Sequence, residues 1–168
     1  MFSEMEITRR LAAALVSITA VCLVSSWAMT GSARAAQPPG LLADFDMTTA
    51  IIETSRDICL RLDLYMADTP SQQSQGLMFI EKMDEYEGML FRHSRPRMIA
   101  MWMKNTYIPL DMLFLHADGT IATITTNTTP LSTDRISSRE SVSGVLEVNA
   151  GFTDRWSIEA GDRLLTIN

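Results

Sequence analysis

The sequence has few of the side chains that most often carry enzyme chemistry or bind metals, with two histidines and two cysteines in 168 residues. It also lacks a glycine-rich phosphate loop, a paired-histidine metal motif and the Gly-x-Ser-x-Gly turn of serine hydrolases. These absences exclude the common signatures of nucleotide binding, zinc hydrolysis and esterase activity. The sequence therefore predicts no catalytic residue, no metal site and no cofactor.

Basic residues are also scarce, with 14 lysines and arginines against 20 aspartates and glutamates and a formal net charge of −6 at pH 7. DNA and RNA are polyanions, and the proteins that bind them present an excess of positive charge. We therefore expect no nucleic-acid partner. The sequence shows no internal repeat.

The N-terminal segment has the three regions of a signal peptide. Arg9 and Arg10 precede a run without charged residues, 11–29, and the cleavage pattern Ala33-Arg34-Ala35 follows it. We therefore expect an exported protein, periplasmic or secreted. The alternative is an uncleaved anchor, because the apolar run is close to the roughly 20 residues that span a bilayer. Membrane attachment is expected only in that case.

This interpretation divides the chain into a signal peptide over residues 1–36, a linker over residues 37–46 and a single β-rich domain over residues 47–168. Cleavage would remove Cys22 and leave Cys59 as the only cysteine. A domain with one cysteine must be stabilised by its hydrophobic core and not by an internal disulfide.

Short β-rich runs separated by turn residues dominate the predicted domain. Alternating apolar residues over 58–65 indicate a half-buried strand, and Asp118-Gly119 between two apolar runs indicates a hairpin. Thr69-Pro70 predicts the start of a short helix reaching about Leu77, whereas the polar stretch 131–143 is expected to be a surface loop. The expected fold class is α+β and β-rich: an antiparallel sheet curling into a sandwich or partly open barrel, with one or two short helices.

Several separate segments are characteristic when they are taken together. They are Gly76-Leu77-Met78-Phe79, Gly88-Met89-Leu90-Phe91, the stretch from Trp102 to Asp111, Asp118-Gly119, the stretch from Val145 to Gly151, and Gly161-Asp162. Together they resemble the domain-of-unknown-function family 192, and the stretch from Trp102 to Asp111 is the most specific part.

The resemblance covers about residues 51–167 and implies an exported, single-domain protein of largely β architecture. It supplies no catalytic roles, because the activity of the family is not established. The family usually has basic residues around its Gly-Leu-Met segment, but here Gln75 precedes that segment and Ile80 follows Phe79. An anion-binding role for the Gly76-Leu77-Met78-Phe79 segment is therefore not inferred for this protein.

A candidate ligand site lies around the stretch from Trp102 to Asp111, which combines an aromatic ring, a cation, an amide and a carboxylate. On a strand, Trp102 and Lys104 share one face, and a return of the chain at the following proline would let Lys104 meet Asp111 or Glu147. The predicted ligand-binding residues are Trp102, Lys104, Asn105, Asp111 and Glu147. Trp102 would serve as a stacking platform and Lys104 and Asn105 as donors.

An architectural alternative assigns no ligand to these residues. Polar side chains next to a proline turn commonly hydrogen-bond to the backbone of that turn, and Asn105 and Asp111 flank Ile108-Pro109. A structure separates the two hypotheses, since only the first needs the side chains to converge on a pocket.

The expected function is non-enzymatic binding of a small polar ligand or of a cell-envelope partner. One alternative is an enzyme acting on cell-envelope material, with Lys104, Asp111 and Glu147 as its polar groups. Another is binding of monovalent copper by thioethers, assisted by His93 and His116. The methionines concerned are Met78, Met83, Met89, Met98, Met101, Met103 and Met112. Their spacing favours methionine as an adaptable core residue.

The N-terminal assignment predicts that the protein isolated from cells begins at about Gln37, because signal peptidase would cut after the Ala33-Arg34-Ala35-Ala36 stretch. Mass spectrometry of the mature N-terminus measures this directly. An intact N-terminus containing Arg9 and Arg10 in the membrane fraction would contradict cleavage and support the anchor.

Overall fold

A computed structural model describes residues 40–167, which contain seven strands and two short helices. These are β1 Met47–Glu53, β2 Cys59–Ala67, α1 Pro70–Gln75, β3 Glu87–Met101, β4 Leu110–Leu115, β5 Ile121–Thr125, β6 Ile136–Asn149, α2 Phe152–Trp156 and β7 Arg163–Ile167. The predicted signal peptide and the first residues of the predicted linker lie outside this range. Within it, no helix has the length and apolar character that a membrane span requires.

The seven strands form one curled sheet in the order β5-β4-β6-β3-β2-β1-β7. The ends of the sheet approach each other: the amide of Ile121 donates to the carbonyl of Asp162 at 2.8 Å, and that of Leu164 donates to Gly119 at 2.9 Å. The sheet is therefore a half-barrel, which confirms the predicted β-rich class and the partly open barrel among its forms. Only β2 and β3 run parallel, because the segment containing α1 crosses over between them.

Side chains from alternate positions of the strands form two hydrophobic clusters, one on each face of the sheet. In β2, Leu62 and Leu64 belong to the cluster enclosed by the curl, and Tyr65 and Ala67 belong to the cluster on the outer face. The inner cluster also takes Ile52 from β1 and other side chains from β4 and β7, so it fills the inside of the half-barrel. We call the two groups the inner cluster and the outer cluster.

The outer cluster is covered by two connecting segments. One follows α1 and contributes Leu77, Ile80 and Met83; the other joins β3 to β4 and contributes Met103. All four side chains are at least 95% buried. The loops around the candidate site are therefore parts of the core, and their packing fixes the polar groups that they carry.

The short helix begins as its sequence predicts. Thr69 caps α1, because its hydroxyl accepts from the amide of Gln72 at 3.3 Å while the side chain of Gln72 accepts from the amide of Thr69 at 3.0 Å. Pro70 occupies the first turn, where its missing N–H costs no hydrogen bond.

Two polar segments are more ordered than their composition indicates. The prediction of a surface loop over residues 131–143 is wrong from Ile136 onward, because β6 begins there and pairs with the end of β3. Its polar side chains are tolerated because this end of the strand is largely exposed. In the predicted linker, the part from Gly40 onward packs against the domain, with Leu42 and Phe45 buried in the outer cluster.

The close approach of the sheet ends predicts an intolerance to side chains at Gly119. A Cβ atom there would overlap the carbonyl oxygen of Leu164, and the φ of +85° is itself unfavourable for alanine. Gly119→Ala should lower the free energy of unfolding by about 2–5 kcal/mol, measured by urea denaturation.

Gly151→Ala is the matched control. Its φ is +81° and a Cβ atom there would meet nothing within 4 Å, so it should cost only about 1–2 kcal/mol for the backbone conformation. Equal losses for the two variants would show that the contact with Leu164 does not constrain the fold.

Candidate functional site

A small cavity opens beside the outer cluster and is lined by side chains from three distant parts of the sequence. Gly76 and Met78 come from the segment after α1, Trp102 and Lys104 from the segment after β3, and Glu147 from the last part of β6. Its volume is about 20 Å³, enough for one water molecule or one small group of a ligand. We call it the Glu147 cavity.

Glu147 is buried in an apolar environment. It lies directly opposite Met89 of β3 and Met112 of β4, on the outer face of the sheet, and only 4% of the residue is exposed. Among residues 40–167, no hydrogen bond or ion pair reaches its carboxyl group. Burial alone raises the pKa of Glu147 from 4.5 to about 8. The group is therefore mostly protonated at pH 7, and can both donate and accept a hydrogen bond at the cavity.

Trp102 and Lys104 form the exposed side of the same cavity. Trp102 is 52% exposed, and the ammonium nitrogen of Lys104 lies 5.7 Å from the centre of its ring. This is a cation–π contact, which favours a defined position for the lysine above the indole. In the part of the chain that the structure describes, no ion pair joins Lys104 to Glu147 or Asp111.

Asp111 lies on the opposite face of the sheet from Glu147. It pairs with Val148 of β6, whose side chain belongs to the inner cluster, and it is completely buried. Its carboxylate accepts from the amide of Asn127 at 2.9 Å, from the amide of Thr153 at 3.0 Å and from the hydroxyl of Thr153 at 2.7 Å. Asp111 thus ties β4 to the first turn of α2 and to the segment after β5.

Asn105 lies beside the Glu147 cavity but does not line it. Its backbone adopts a φ of +56°, and its carbonyl oxygen accepts from the amide of Phe79 at 2.8 Å. Its side-chain nitrogen is 3.8 Å from the sulfur of Met78, which does line the cavity. Of the five residues predicted to bind a ligand, the structure therefore brings Trp102, Lys104 and Glu147 together. It places Asn105 beside the cavity and Asp111 on the opposite face of the sheet.

The methionine-rich third of the chain contributes mainly to the outer cluster. Four of its methionines are buried there, whereas Met98 is 58% exposed at the far end of β3. The four are Met83, Met89, Met103 and Met112. His93 and His116 line a different cavity, at the end of the half-barrel. This distribution is that of methionine as an adaptable core residue.

Sequence reasoning missed the contribution of the segment after α1. Gly76 has a φ of +50°, and a Cβ atom there would come within 3.3 Å of the ring of Phe91, which also lines the cavity. The signal was present in the Gly76-Leu77-Met78-Phe79 segment, but nothing local connects that segment to Trp102 or Glu147. Only the packing of the two loops over the outer cluster brings them together.

The curled seven-stranded sheet defines a β-rich half-barrel domain, and the comparison with protein families identifies its family. The sequence model of the domain-of-unknown-function family 192 (DUF192), described as an uncharacterized ACR, matches residues 51–166. The chain belongs to this family. No curated protein matches the chain.

Two solved structures are similar to this chain in both fold and sequence. A candidate transcription regulator from Sinorhizobium meliloti is 44% identical with a TM-score of 0.72, and the match covers 73% of this chain and 95% of that one. A protein of unknown function from Novosphingobium aromaticivorans is 28% identical with a TM-score of 0.71, and the match covers 81% and 98%. The likeness extends over almost the whole of each neighbour.

The buried carboxyl group predicts a pH-dependent difference in stability between the wild type and Glu147→Gln. Between pH 4.5 and pH 8 the folded protein retains a proton that the unfolded chain loses, so the wild type loses stability as the pH rises. The slope reaches about 1.4 kcal/mol per pH unit. Glutamine does not titrate. The free energy of unfolding of Glu147→Gln, measured by urea denaturation, should therefore increase progressively relative to that of the wild type from pH 5 to pH 8.

Glu140→Gln is the control, since Glu140 lies on the same strand and is exposed. The difference in free energy of unfolding between Glu140→Gln and the wild type should not change over this pH range. A constant difference for Glu147→Gln as well would contradict the raised pKa.

Proposed function

We propose that this chain is an exported, non-enzymatic binding module whose Glu147 cavity holds a polar group of a small hydroxylated ligand, such as a saccharide. The observation that carries the proposal is the carboxyl group of Glu147, buried and without a partner among residues 40–167, beside an exposed tryptophan. Burying a polar group without a hydrogen bond is unfavourable. A ligand that supplies the bond would recover that energy.

The size and protonation of the site favour a hydroxyl group. A cavity of about 20 Å³ admits only a small group, so the body of the ligand must remain outside it. A protonated carboxyl group donates one hydrogen bond and accepts another, which is the complement of a hydroxyl. The exposed face of Trp102 then offers an apolar surface to the body of the ligand, and Lys104 a further donor.

Export and a partner in the cell envelope rest on the N-terminal sequence. A basic pair, an uncharged apolar run and an Ala-x-Ala pattern support a signal peptide. Saccharides are abundant components of cell envelopes, so this location agrees with a hydroxylated ligand. If the segment is not cleaved, the same domain would act while attached to the membrane.

Two other functions have weaker support. Proton transfer by Glu147 agrees with a pKa near neutrality, but Asp111, the expected second carboxylate of an enzyme, is committed to Asn127 and Thr153 on the opposite face. Gene regulation is named for one structural neighbour. The net charge of −6 of the present chain argues against direct binding to DNA.

A thermal-shift titration with soluble peptidoglycan fragments tests the proposal. A fragment that binds the folded protein should raise Tm progressively with its concentration. Lys104→Met should keep the Tm of the unliganded protein, because Lys104 is exposed, and should weaken binding about tenfold, as expected for a lost hydrogen bond from a charged donor. Trp102→Ala should also weaken it.

Lys82→Met is the matched control for Lys104→Met, because the chain has only these two lysines and Lys82 does not line the cavity. It should bind the fragments as the wild type does. Failure of every fragment to raise Tm, or equal binding by Lys104→Met, Trp102→Ala and the wild type, would reject the proposed site.

A further inference from the structure

A second and much larger cavity lies at the end of the half-barrel where the β4–β5 turn meets β7. Its volume is about 530 Å³, within the range of small-molecule sites. Leu90, Leu115 and Leu164 reach it from the inner cluster and form an apolar floor. It shares no lining residue with the Glu147 cavity. We call it the mouth cavity.

A bulge in β3 places basic and polar side chains on the rim of the mouth cavity. Arg92 pairs with Gly144 and Arg97 with Val142, so the four residues between the two arginines face a single residue of β6. Such a bulge re-aims the side chains that it contains. Arg92, His93 and Ser94 line the cavity as a result.

The bulge is a basic segment in an acidic protein. Three arginines fall within the six residues 92–97, although the whole chain has a net charge of −6. The guanidinium of Arg92 donates to both carboxylate oxygens of Asp68, at 2.9 and 2.6 Å, which fixes its position. Arg95 and Arg97 do not line the cavity, but within the described residues neither has such a carboxylate partner, so the bulge carries unpaired positive charge beside the rim.

The protonation of His93 follows from its contact with Arg97. Nη2 of Arg97 lies 3.2 Å from Nδ1 of His93. A guanidinium can only donate, so Nδ1 accepts and the ring carries its proton on Nε2. Burial and the charge of Arg97 both lower the pKa of His93. His93 is therefore a neutral donor at pH 7.

We propose that the mouth cavity binds a small amphipathic carboxylate, with its aliphatic part on the leucine floor and its charged group at the rim formed by Arg92 and His93. The leucine floor favours an apolar body, and the unpaired positive charge of the bulge beside Arg92 and His93 favours an anion. A carboxylate matches the site better than a phosphate, because Asp118 lies on the same rim and its ionised form is stabilised by the amide of Thr120. A doubly charged group would be repelled more strongly there.

Octanoate, octanol and acetate separate the contributions to this binding. Octanoate has both parts of the expected ligand, octanol has the tail without the charge, and acetate has the charge without the tail. Isothermal titration calorimetry of the purified protein should show octanoate binding at least about tenfold more tightly than either of the others. NMR shifts on adding octanoate should centre on the amides of Gly119 and Gly144.

Substitutions at the rim locate the site. Arg92→Gln and His93→Ala should each weaken octanoate binding about tenfold, as expected when a hydrogen bond to a charged group is lost. Arg61→Gln is the matched control, since Arg61 is also an exposed arginine with one aspartate partner but does not line the cavity. The Arg61→Gln variant should bind octanoate with the affinity of the wild type.

Two results would overturn the proposal. One is octanol binding as tightly as octanoate, and the other is wild-type affinity in both rim variants. If Arg92→Gln does not fold because its pair with Asp68 is lost, the octanoate affinity of His93→Ala alone tests the proposal. Octanoate binding should be unchanged in Lys104→Met, so the outcome is independent of the function proposed for the Glu147 cavity.

Discussion

The central strand β6 hydrogen-bonds to β3 on one side and to β4 on the other, and both cavities depend on this pairing. Facing residues on antiparallel strands point to the same side of a sheet. Glu147 therefore shares the outer face with Met89 and Met112, whereas Asp111 shares the inner face with Val148. A shift of β6 by one residue in this register would move its side chains to the opposite faces of the sheet. Glu147 would then lie on the inner face, on the same side as Asp111 of β4.

The two buried carboxyl groups differ because one has partners and the other does not. Asp111 receives three hydrogen bonds, which offset the cost of burying its polar side chain. Glu147 receives none within the described residues, and burial raises its pKa, which favours the neutral, protonated form. An apolar side chain at position 147 would fit the surrounding methionines and leucines without this cost. Groups that weaken the fold in this way are often retained for binding or catalysis.

Local patterns determine the parts of the fold that could be predicted from the sequence. The alternation over 58–65, the cap at Thr69 and the turn at Asp118-Gly119 each depend on residues close in the chain, and the structure contains all three. The first half of β6 was missed because its exposed polar residues carry no apolar pattern. The parallel pairing of β2 with β3 was missed because it depends on a crossover and not on a hairpin.

The candidate site was only partly predictable for the same reason. Trp102, Lys104 and Glu147 meet because two loops pack over the outer cluster, and no local signal reports that packing. Asp111 is close to Lys104 in sequence, yet the alternation of β4 sends it to the inner face. Of the two carboxyl groups that the sequence offered to Lys104, Asp111 is therefore on the other face, while Glu147, 43 positions away, lines the same cavity.

The two cavities are built on the same strands, which gives them precise walls. Leu90 and Phe91 are consecutive in β3 and point to opposite faces, so one lies in the floor of the mouth cavity and the other in the wall of the Glu147 cavity. Gly144 holds β6 against this point, because a Cβ atom there would lie 2.8 Å from the carbonyl oxygen of Phe91. Sites on paired strands are held more rigidly than sites on loops. A change in strand spacing at Gly144 would therefore alter both cavities, although they share no side chain.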